Sequence, residues 1–195
     1  EMIAEYDGAN NLLARYTHST LRSDDVLAID VRQAGVDAQL AQSTGTLLYL
    51  KDALGSVREI ASTSGSKVQH YVYSVFGTLL GIQDALAADI TPNPVLETHY
   101  SFTGRELDSE SGFYFYRARM YDSAIGRFLS QDPDPGALTN PSTIVTGYAY
   151  VLNNPANRID PTGRFSIGSI TRGLNNFIND NLGGKSILLG LVGAV

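Results

Sequence analysis

Short stretches rich in aromatic and β-branched residues recur along this chain, with turn-forming residues between them. Three of these stretches, residues 46–50, 68–75 and 113–121, have the composition of β-strands. Alternation along the third places one set of side chains on a single face: Phe113, Phe115, Arg117, Arg119 and Tyr121. A buried arginine on such a face needs a carboxylate partner. We expect Arg119 to have one, and Arg117 to be a solvated strand charge.

Three segments share a more detailed pattern, which is an aromatic residue, a short turn with Gly or Asn, and an apolar pair. They are residues 6–13, 73–80 and 121–129. Gly and Asn tolerate the positive φ that tight hairpins demand. The pattern predicts a repeated strand–turn–strand unit, and therefore a mainly β fold of antiparallel hairpins that stack to bury a shared face. The spacing between the units is irregular.

The patterns in the remaining segments predict a turn, a loop or short helix, and a different C-terminal region. Residues 62–66 are expected to form a turn, and residues 84–94 an insertion loop or a short helix that ends at Pro92. After a boundary at Gly163 the character changes, and residues 166–182 have the spacing of an amphipathic helix. The final apolar run, residues 186–195, is shorter than the roughly 20 residues that span a bilayer. This tail is a candidate for membrane contact or for burial.

Composition narrows the classes of function. The chain has 195 residues, 43% of them hydrophobic, so it can bury a core. Its net charge is −6 and it has no basic run, which argues against a nucleic-acid partner. It has no Cys, which excludes disulfides and thiol catalysis, and its three His residues lack metal-ligand spacing. We expect no cofactor or metal and no signal peptide at this N-terminus. The chain is expected either to belong to a longer product or to self-associate through exposed strand edges.

A long motif in the second half is more specific than these patterns. It consists of FTGRELD at residues 102–108, GFYFYRARMYD at residues 112–122 and GRFLSQDP at residues 126–133. It continues with YAYVLNNPANRIDPTG at residues 148–163. Together with LKDALGSVR at residues 50–58, these runs resemble the RHS/YD-repeat proteins, and above all their RHS-repeat-associated core. The resemblance covers roughly residues 1–163.

The resemblance implies a β-sheet ribbon that spirals into a hollow shell around a toxic or effector region. It divides the chain into YD-repeat hairpins at residues 1–99, the core at 100–163, and a C-terminal tail at 164–195 that is a candidate for the start of the cargo region. The expected partners are the chain's own C-terminal cargo or other shell segments, with self-association through exposed strand edges. The expected location is secreted or at the cell surface, because the family includes exported bacterial toxins.

In many relatives the core acts as an intramolecular aspartyl protease that frees the cargo. The family pattern falls here on Asp132, Asp160 and Arg119, with the cut between Arg164 and Phe165. Two neighbouring carboxylates share a proton, so one can act as general base while the other polarises the scissile carbonyl.

Three points in this assignment stay open. Asp134 is a second candidate for the first aspartate, and the family usually carries Leu where this chain has Arg164. Asp-Pro sequences are also ordinary turn formers. The alternative function is therefore a non-catalytic β-repeat module that assembles with other chains as a shell or fibre.

Overall fold

The computed structural model describes residues 3–20, 25–32, 45–91, 94–96, 98–133 and 147–164. The described chain is mainly β, as predicted, and its only helical pieces are two short 3-10 turns at Phe102–Gly104 and Val151–Asn153. A seven-stranded antiparallel sheet keeps the strands in chain order. Its strands are β1 Ala4–Tyr6, β2 Leu12–His18, β3 Val26–Val31, β4 Gly45–Lys51, β5 Val57–Ser62, β6 Lys67–Tyr73 and β7 Leu79–Asp84. The predicted helix at 166–182 and the apolar end lie outside the described residues.

A five-residue turn recurs along this sheet. The N–H of its first residue donates to the carbonyl of the fifth, and the N–H of the fourth donates to the carbonyl of the first. The fourth residue always has a positive φ. The turns begin at Asp7, Asp52, Ser62, Ser74 and Asp84.

The first side chain of this turn reinforces the backbone pattern. In the turn at Asp84, Oδ1 accepts the N–H groups of Leu86 at 2.8 Å and Ala88 at 2.9 Å. Such local bonds are why Asp and Ser favour turns. The predicted hairpins at residues 6–13, 73–80 and 121–129, and the turn at 62–66, are confirmed.

One face of the seven-stranded sheet forms a core of aromatic and aliphatic side chains, among them Tyr16, Ile29, Tyr49, Ile60 and Tyr71. A returning segment that contains Leu96 and Tyr100 covers this face. Gln69 is fully buried and fixes the segment, since its Nε2 donates to the Leu96 carbonyl at 2.7 Å and its Oε1 accepts the Leu96 N–H at 2.9 Å. A two-way amide bond of this kind satisfies both a buried side chain and a buried backbone.

The outer edge of β7 is partly covered by the chain that follows it. The Ile90 N–H donates to the Ile82 carbonyl at 2.8 Å, and the Ile82 N–H donates to Thr91 Oγ1 at 2.9 Å. Of the predicted loop or short helix at 84–94, the described residues form a turn and a single β-bridge, and not a helix. Backbone groups bonded in this way cannot template another strand.

A second, four-stranded antiparallel sheet has the order β11-β10-β9-β8. Its strands are β8 Glu106–Leu107, β9 Tyr114–Phe115, β10 Met120–Asp122 and β11 Arg127–Phe128. A cluster of rings packs against it, namely Phe102, Tyr114, Tyr116, Tyr121, Phe128 and Tyr150. The rings meet in tilted or edge-to-face pairs, such as Tyr116 and Tyr150 with centroids 5.4 Å apart. This geometry suits the ring quadrupoles.

The prediction of one continuous strand over residues 113–121 is wrong. The chain reverses after β9, with Arg117 at φ 62° and the Ala118 N–H donating to the Tyr116 carbonyl at 2.7 Å. A reversal breaks the two-residue alternation, so the predicted separation into two faces fails. Tyr114 and Tyr121 instead face each other across β9 and β10 and are both buried.

Candidate catalytic site

The reversal between β9 and β10 turns Arg119 inward. Its side chain is 0% exposed, whereas Arg117 is exposed as expected. Arg119 Nη2 lies 3.2 Å from Asp132 Oδ2 and 3.5 Å from Asp160 Oδ2. Arg119 therefore has carboxylate partners, as its pattern predicted. Through this one nitrogen Arg119 contacts both aspartates, so the three residues that the resemblance singled out lie together.

The rest of the Arg119 guanidinium binds main chain and an aromatic ring. Nε donates to the Gly163 carbonyl at 2.6 Å and Nη1 to the Gly147 carbonyl at 2.9 Å. The guanidinium carbon lies 3.5 Å from the centroid of the Phe128 ring. Burial lowers the pKa of Arg119, and the charges of Asp132 and Asp160 oppose that change. An arginine remains charged under these conditions, so its forked donors hold a fixed geometry.

Asp160 organises the segment that leads to the predicted cut. Its Oδ1 accepts the N–H of Thr162 at 3.1 Å and the N–H of Arg164 at 3.2 Å. Its Oδ2 faces Arg119, and its main-chain carbonyl accepts a bond from Arg105 Nη2 at 3.1 Å. Asp160 thus combines the turn role expected of Asp-Pro with a place in a buried ionic cluster.

Asp132 follows β11 and is anchored through its backbone. Its N–H donates to the Gly147 carbonyl at 3.0 Å. The Gly147 carbonyl therefore accepts hydrogen bonds from both Asp132 and Arg119. The side chain is only 8% exposed. The competing candidate, Asp134, lies outside the described residues, and the choice between the two aspartates stays a prediction.

Gly163 sits where no other residue fits. Its φ is +68°, and a Cβ there would lie 2.1 Å from the Tyr116 carbonyl oxygen and 3.2 Å from the Ala118 nitrogen. The next residue, Arg164, has its side chain exposed. Phe165 lies outside the described residues. The site therefore contacts the main chain of this segment and leaves the Arg164 side chain to solvent.

The charges of the cluster suit acid–base chemistry. Two carboxylates converge on one guanidinium nitrogen in a largely desolvated position. A carboxylate and a carboxylic acid side by side can serve as general base and general acid toward a nearby peptide bond.

No group of three residues capable of holding a metal occurs among the described residues. In the same part of the chain, no helix is long and apolar enough to cross a membrane.

The sequence patterns did not single out two residues of this site. Arg105 belongs to the FTGRELD run, and only its burial beside Asp160 distinguishes it from a surface arginine. The sequence predicts only a boundary at Gly163, although the close approach of Gly163 to Tyr116 makes it part of the site. Both depend on contacts between segments far apart in sequence, which a local pattern does not report.

Known proteins are similar to parts of this chain, although no family model matches it. The tRNA nuclease WapA of Bacillus subtilis is 29% identical over 164 residues, which is 84% of this chain and 6% of WapA. Toxin protein Tse5 of Pseudomonas aeruginosa is 46% identical over 63 residues, which is 32% of this chain and 4% of Tse5.

A solved structure shares the fold of this chain. A chain in the crystal structure of TcdB2-TccC3-Cdc42 matches with a TM-score of 0.58 and 20% identity, over 77% of this chain and 6% of that one. This match shows a shared fold. The described β fold is thus shared with a segment of a chain from a Tc toxin complex, and the sequence is similar to parts of a tRNA nuclease and of a toxin protein. The chain spans less than a tenth of each of these three proteins.

Proposed function

We propose that this chain is the closing part of an RHS-type β-shell that encloses a C-terminal toxin or effector region and releases it by cutting itself between Arg164 and Phe165. The observation that carries the proposal is the convergence of Asp132 and Asp160 on Arg119, beside the main chain that leads to this bond. The similarity to toxin proteins and to a Tc toxin fold supports a toxin-related module that is exported and works with other chains.

The proposed reaction is hydrolysis of one peptide bond. The ionised aspartate takes a proton from water as the water oxygen bonds to the Arg164 carbonyl carbon. The protonated aspartate donates a hydrogen bond to the carbonyl oxygen. The carbon–nitrogen bond then breaks, and the nitrogen of Phe165 receives the proton that the aspartate took from water. The products are a carboxylate on Arg164 and an amine on Phe165.

The contacts of Asp160 and Arg119 support a positioning part for these two residues in the reaction. Asp160 holds the Arg164 N–H at 3.2 Å, and Arg119 holds the Gly163 carbonyl at 2.6 Å, so the segment is fixed on both sides of the Gly163–Arg164 peptide. Fixing a reacting segment beside its acid and base removes part of the entropic barrier. Release of the region after Arg164 needs no second protein in this scheme.

A second function has its own support. Asp160 Oδ1 accepts two turn N–H groups, and Asp160 Oδ2 pairs with a fully buried arginine, as expected of a carboxylate that only stabilises a fold. In this function the chain is a non-catalytic β-repeat module, and the tail beyond residue 164 is an interaction or membrane-proximal element. The strands would then assemble with other shell segments.

Intact mass of the purified chain separates the two functions. We expect two fragments, the second beginning at Phe165, and a single uncut species after Asp160→Asn, which keeps the side-chain volume and the Oδ1 acceptor. Asp-Pro bonds break in acid, so the mass must distinguish a cut after Arg164 from one after Asp160. An uncut wild-type chain, or a cut that persists in Asp160→Asn, would refute self-cleavage by this site.

A further inference from the structure

A cavity of about 370 Å³ lies where the two sheets meet the returning segment. Residues of β6, β7, β8 and the returning segment form its walls. These walls are largely aliphatic, with the side chains of Leu79, Ile82, Pro94, Leu96 and Leu107. A single water molecule takes up only about 30 Å³ of liquid. A mostly apolar cavity of this size is instead typical of sites that bind small molecules.

A buried hydroxyl on the wall of this cavity has a hydrogen to donate. Tyr71 lines the cavity and is only 3% exposed. Its hydroxyl oxygen accepts a hydrogen bond from Gln69 Nε2. The direction of this bond is fixed, because the Gln69 amide would lose both of its bonds to the Leu96 main chain if it turned over. The Tyr71 O–H therefore remains a donor, and no residue in the described part of the chain accepts its hydrogen.

Burial keeps the proton on the Tyr71 hydroxyl. It raises the pKa of Tyr71 well above the usual value of 10.0, and the nearby Tyr49 and Tyr73 raise this pKa further. Tyr71 is thus a neutral donor over the ordinary pH range. A buried donor without an acceptor is costly, and nearly all such groups in proteins have a partner. An acceptor inside the cavity would remove that cost.

Other polar groups of the wall are already bonded within the protein. The hydroxyls of Thr98 and Ser101 each lie against a tyrosine hydroxyl, at 2.8 and 2.9 Å. His99 Nε2 lies 3.3 Å from Glu5 Oε1, so any charge on His99 is balanced. Among the described residues of the wall, no Asp, Glu, Lys or Arg occurs. These surroundings suit an uncharged ligand, because a charged one would lose its hydration without gaining a partner.

We propose that this cavity binds a small, uncharged and largely apolar molecule with a carbonyl or ether oxygen, and that this oxygen accepts a hydrogen bond from Tyr71. The aliphatic walls supply most of the affinity, because they remove apolar surface of the ligand from water. The Tyr71 hydroxyl fixes the orientation of the ligand. The cavity shares no residue with the ionic cluster at Arg119, so the inference does not rest on self-cleavage.

Two probes of the same shape test the inference. Acetophenone has a carbonyl group where ethylbenzene has a methylene group, so only acetophenone can accept the Tyr71 hydrogen. Each probe is titrated into the full chain, and NMR follows the methyl groups of Ile82 and Leu107. We expect acetophenone to bind with a Kd of about 1 mM, as is usual for so small a ligand. We also expect nuclear Overhauser contacts between acetophenone and these methyl groups.

Three substitutions assign the binding to the cavity and to the hydroxyl. Tyr71→Phe removes the donor and keeps the ring, so it should weaken acetophenone about fivefold and leave ethylbenzene unchanged. Tyr121→Phe is the matched control and should change neither affinity. Tyr121 is also buried, but its hydroxyl donates to the Phe76 carbonyl at 2.8 Å and it does not line the cavity. Leu79→Phe fills part of the cavity and should weaken both probes.

The possible failures are distinct. If acetophenone shows no contact with Ile82 or Leu107, the cavity is a packing gap and the inference is overturned. It is also overturned if Tyr71→Phe changes both affinities equally, or changes neither. Affinities that survive Leu79→Phe would show adventitious binding elsewhere, with the same consequence. If Tyr71→Phe does not fold, the contacts of acetophenone and the effect of Leu79→Phe still decide whether the cavity is the site. Intact mass of the same samples tests the proposed function separately.

Discussion

Replacing Gly163 by Ala tests how tightly the candidate site is built. The substitution adds one methyl group, which would lie 2.1 Å from the Tyr116 carbonyl oxygen. The φ of +68° alone costs a non-glycine residue about 1 kcal/mol. Relieving the overlap requires backbone movement, which costs about 1–3 kcal/mol more. Movement of this segment also weakens the bond from Arg119 to the Gly163 carbonyl.

Gly65→Ala is the matched control for this change. Gly65 has a similar φ of +85°, but nothing lies within 4 Å of the position its Cβ would take. It therefore carries the conformational cost without the overlap. For a chain of this size, about 1 kcal/mol lowers the melting temperature by about 3 °C. We expect a decrease of about 3 °C for Gly65→Ala and about 10 °C for Gly163→Ala.

Thermal unfolding followed by circular dichroism measures both variants, and intact mass measures cleavage in the same samples. Gly163→Ala should be uncut even at temperatures where it is folded, because the segment before the scissile bond is displaced. Gly65→Ala should be cut like the wild type. Equal melting temperatures for the two variants would refute the close approach of Gly163 to Tyr116.

Four further substitutions concern residues outside the ionic cluster. Arg164→Leu should change the cleavage rate by no more than about twofold, because the side chain is exposed, and a tenfold change in mass-spectrometric rate would contradict this. Ala87→Gly should raise the free energy of unfolding in urea by about 1 kcal/mol, because Ala87 has a φ of 65° in an exposed turn. Asn10→Gly at the same turn position should gain less, because Asn tolerates this conformation. Ser111→Ala should raise the pKa of Asp108 in an NMR titration, since the hydrogen bond from Ser111 is the main cause that lowers it. Asp108 therefore stabilises the fold above its unfolded pKa of about 3.8, and that contribution is lost as the pH falls through the lower folded value.

Local patterns predicted those parts of the fold that local chemistry determines. The strand expected at residues 46–50 is β4, Gly45–Lys51, and the strand expected at 68–75 begins as β6 and ends in the turn at Ser74. The turn residues Asp7 and Ser62 hold their turns through bonds within five residues. Propensity reports such bonds because they involve neighbours in sequence.

The same patterns failed where distant contacts decide the conformation. Residues 113–121 have the composition of a single strand, but packing of Tyr116 against Tyr150 and pairing of Arg119 with Asp132 and Asp160 accompany a reversal inside it. The resemblance to the RHS core named the three charged residues, and the structure brings them together. It did not predict that Arg105 reaches Asp160, because that contact joins positions 55 residues apart.

Arg164 stands where the family usually carries Leu, and its surroundings in the structure explain how an arginine fits there. In a sequence comparison, arginine in place of leucine suggests a poor fit to an apolar pocket. The Arg164 side chain is exposed, and the contacts to this segment reach the Arg164 N–H and the Gly163 carbonyl. The cost of desolvating a charged side chain therefore does not arise in the described arrangement.

The most direct test of self-cleavage is the intact mass of the wild-type chain and of Asp160→Asn, purified side by side at neutral pH. If the site cleaves the chain, the wild type yields one fragment ending at Arg164 and another beginning at Phe165, while folded Asp160→Asn stays whole. A wild-type chain that remains a single uncut species, or an Asp160→Asn chain that yields the same two fragments, would contradict self-cleavage by this site.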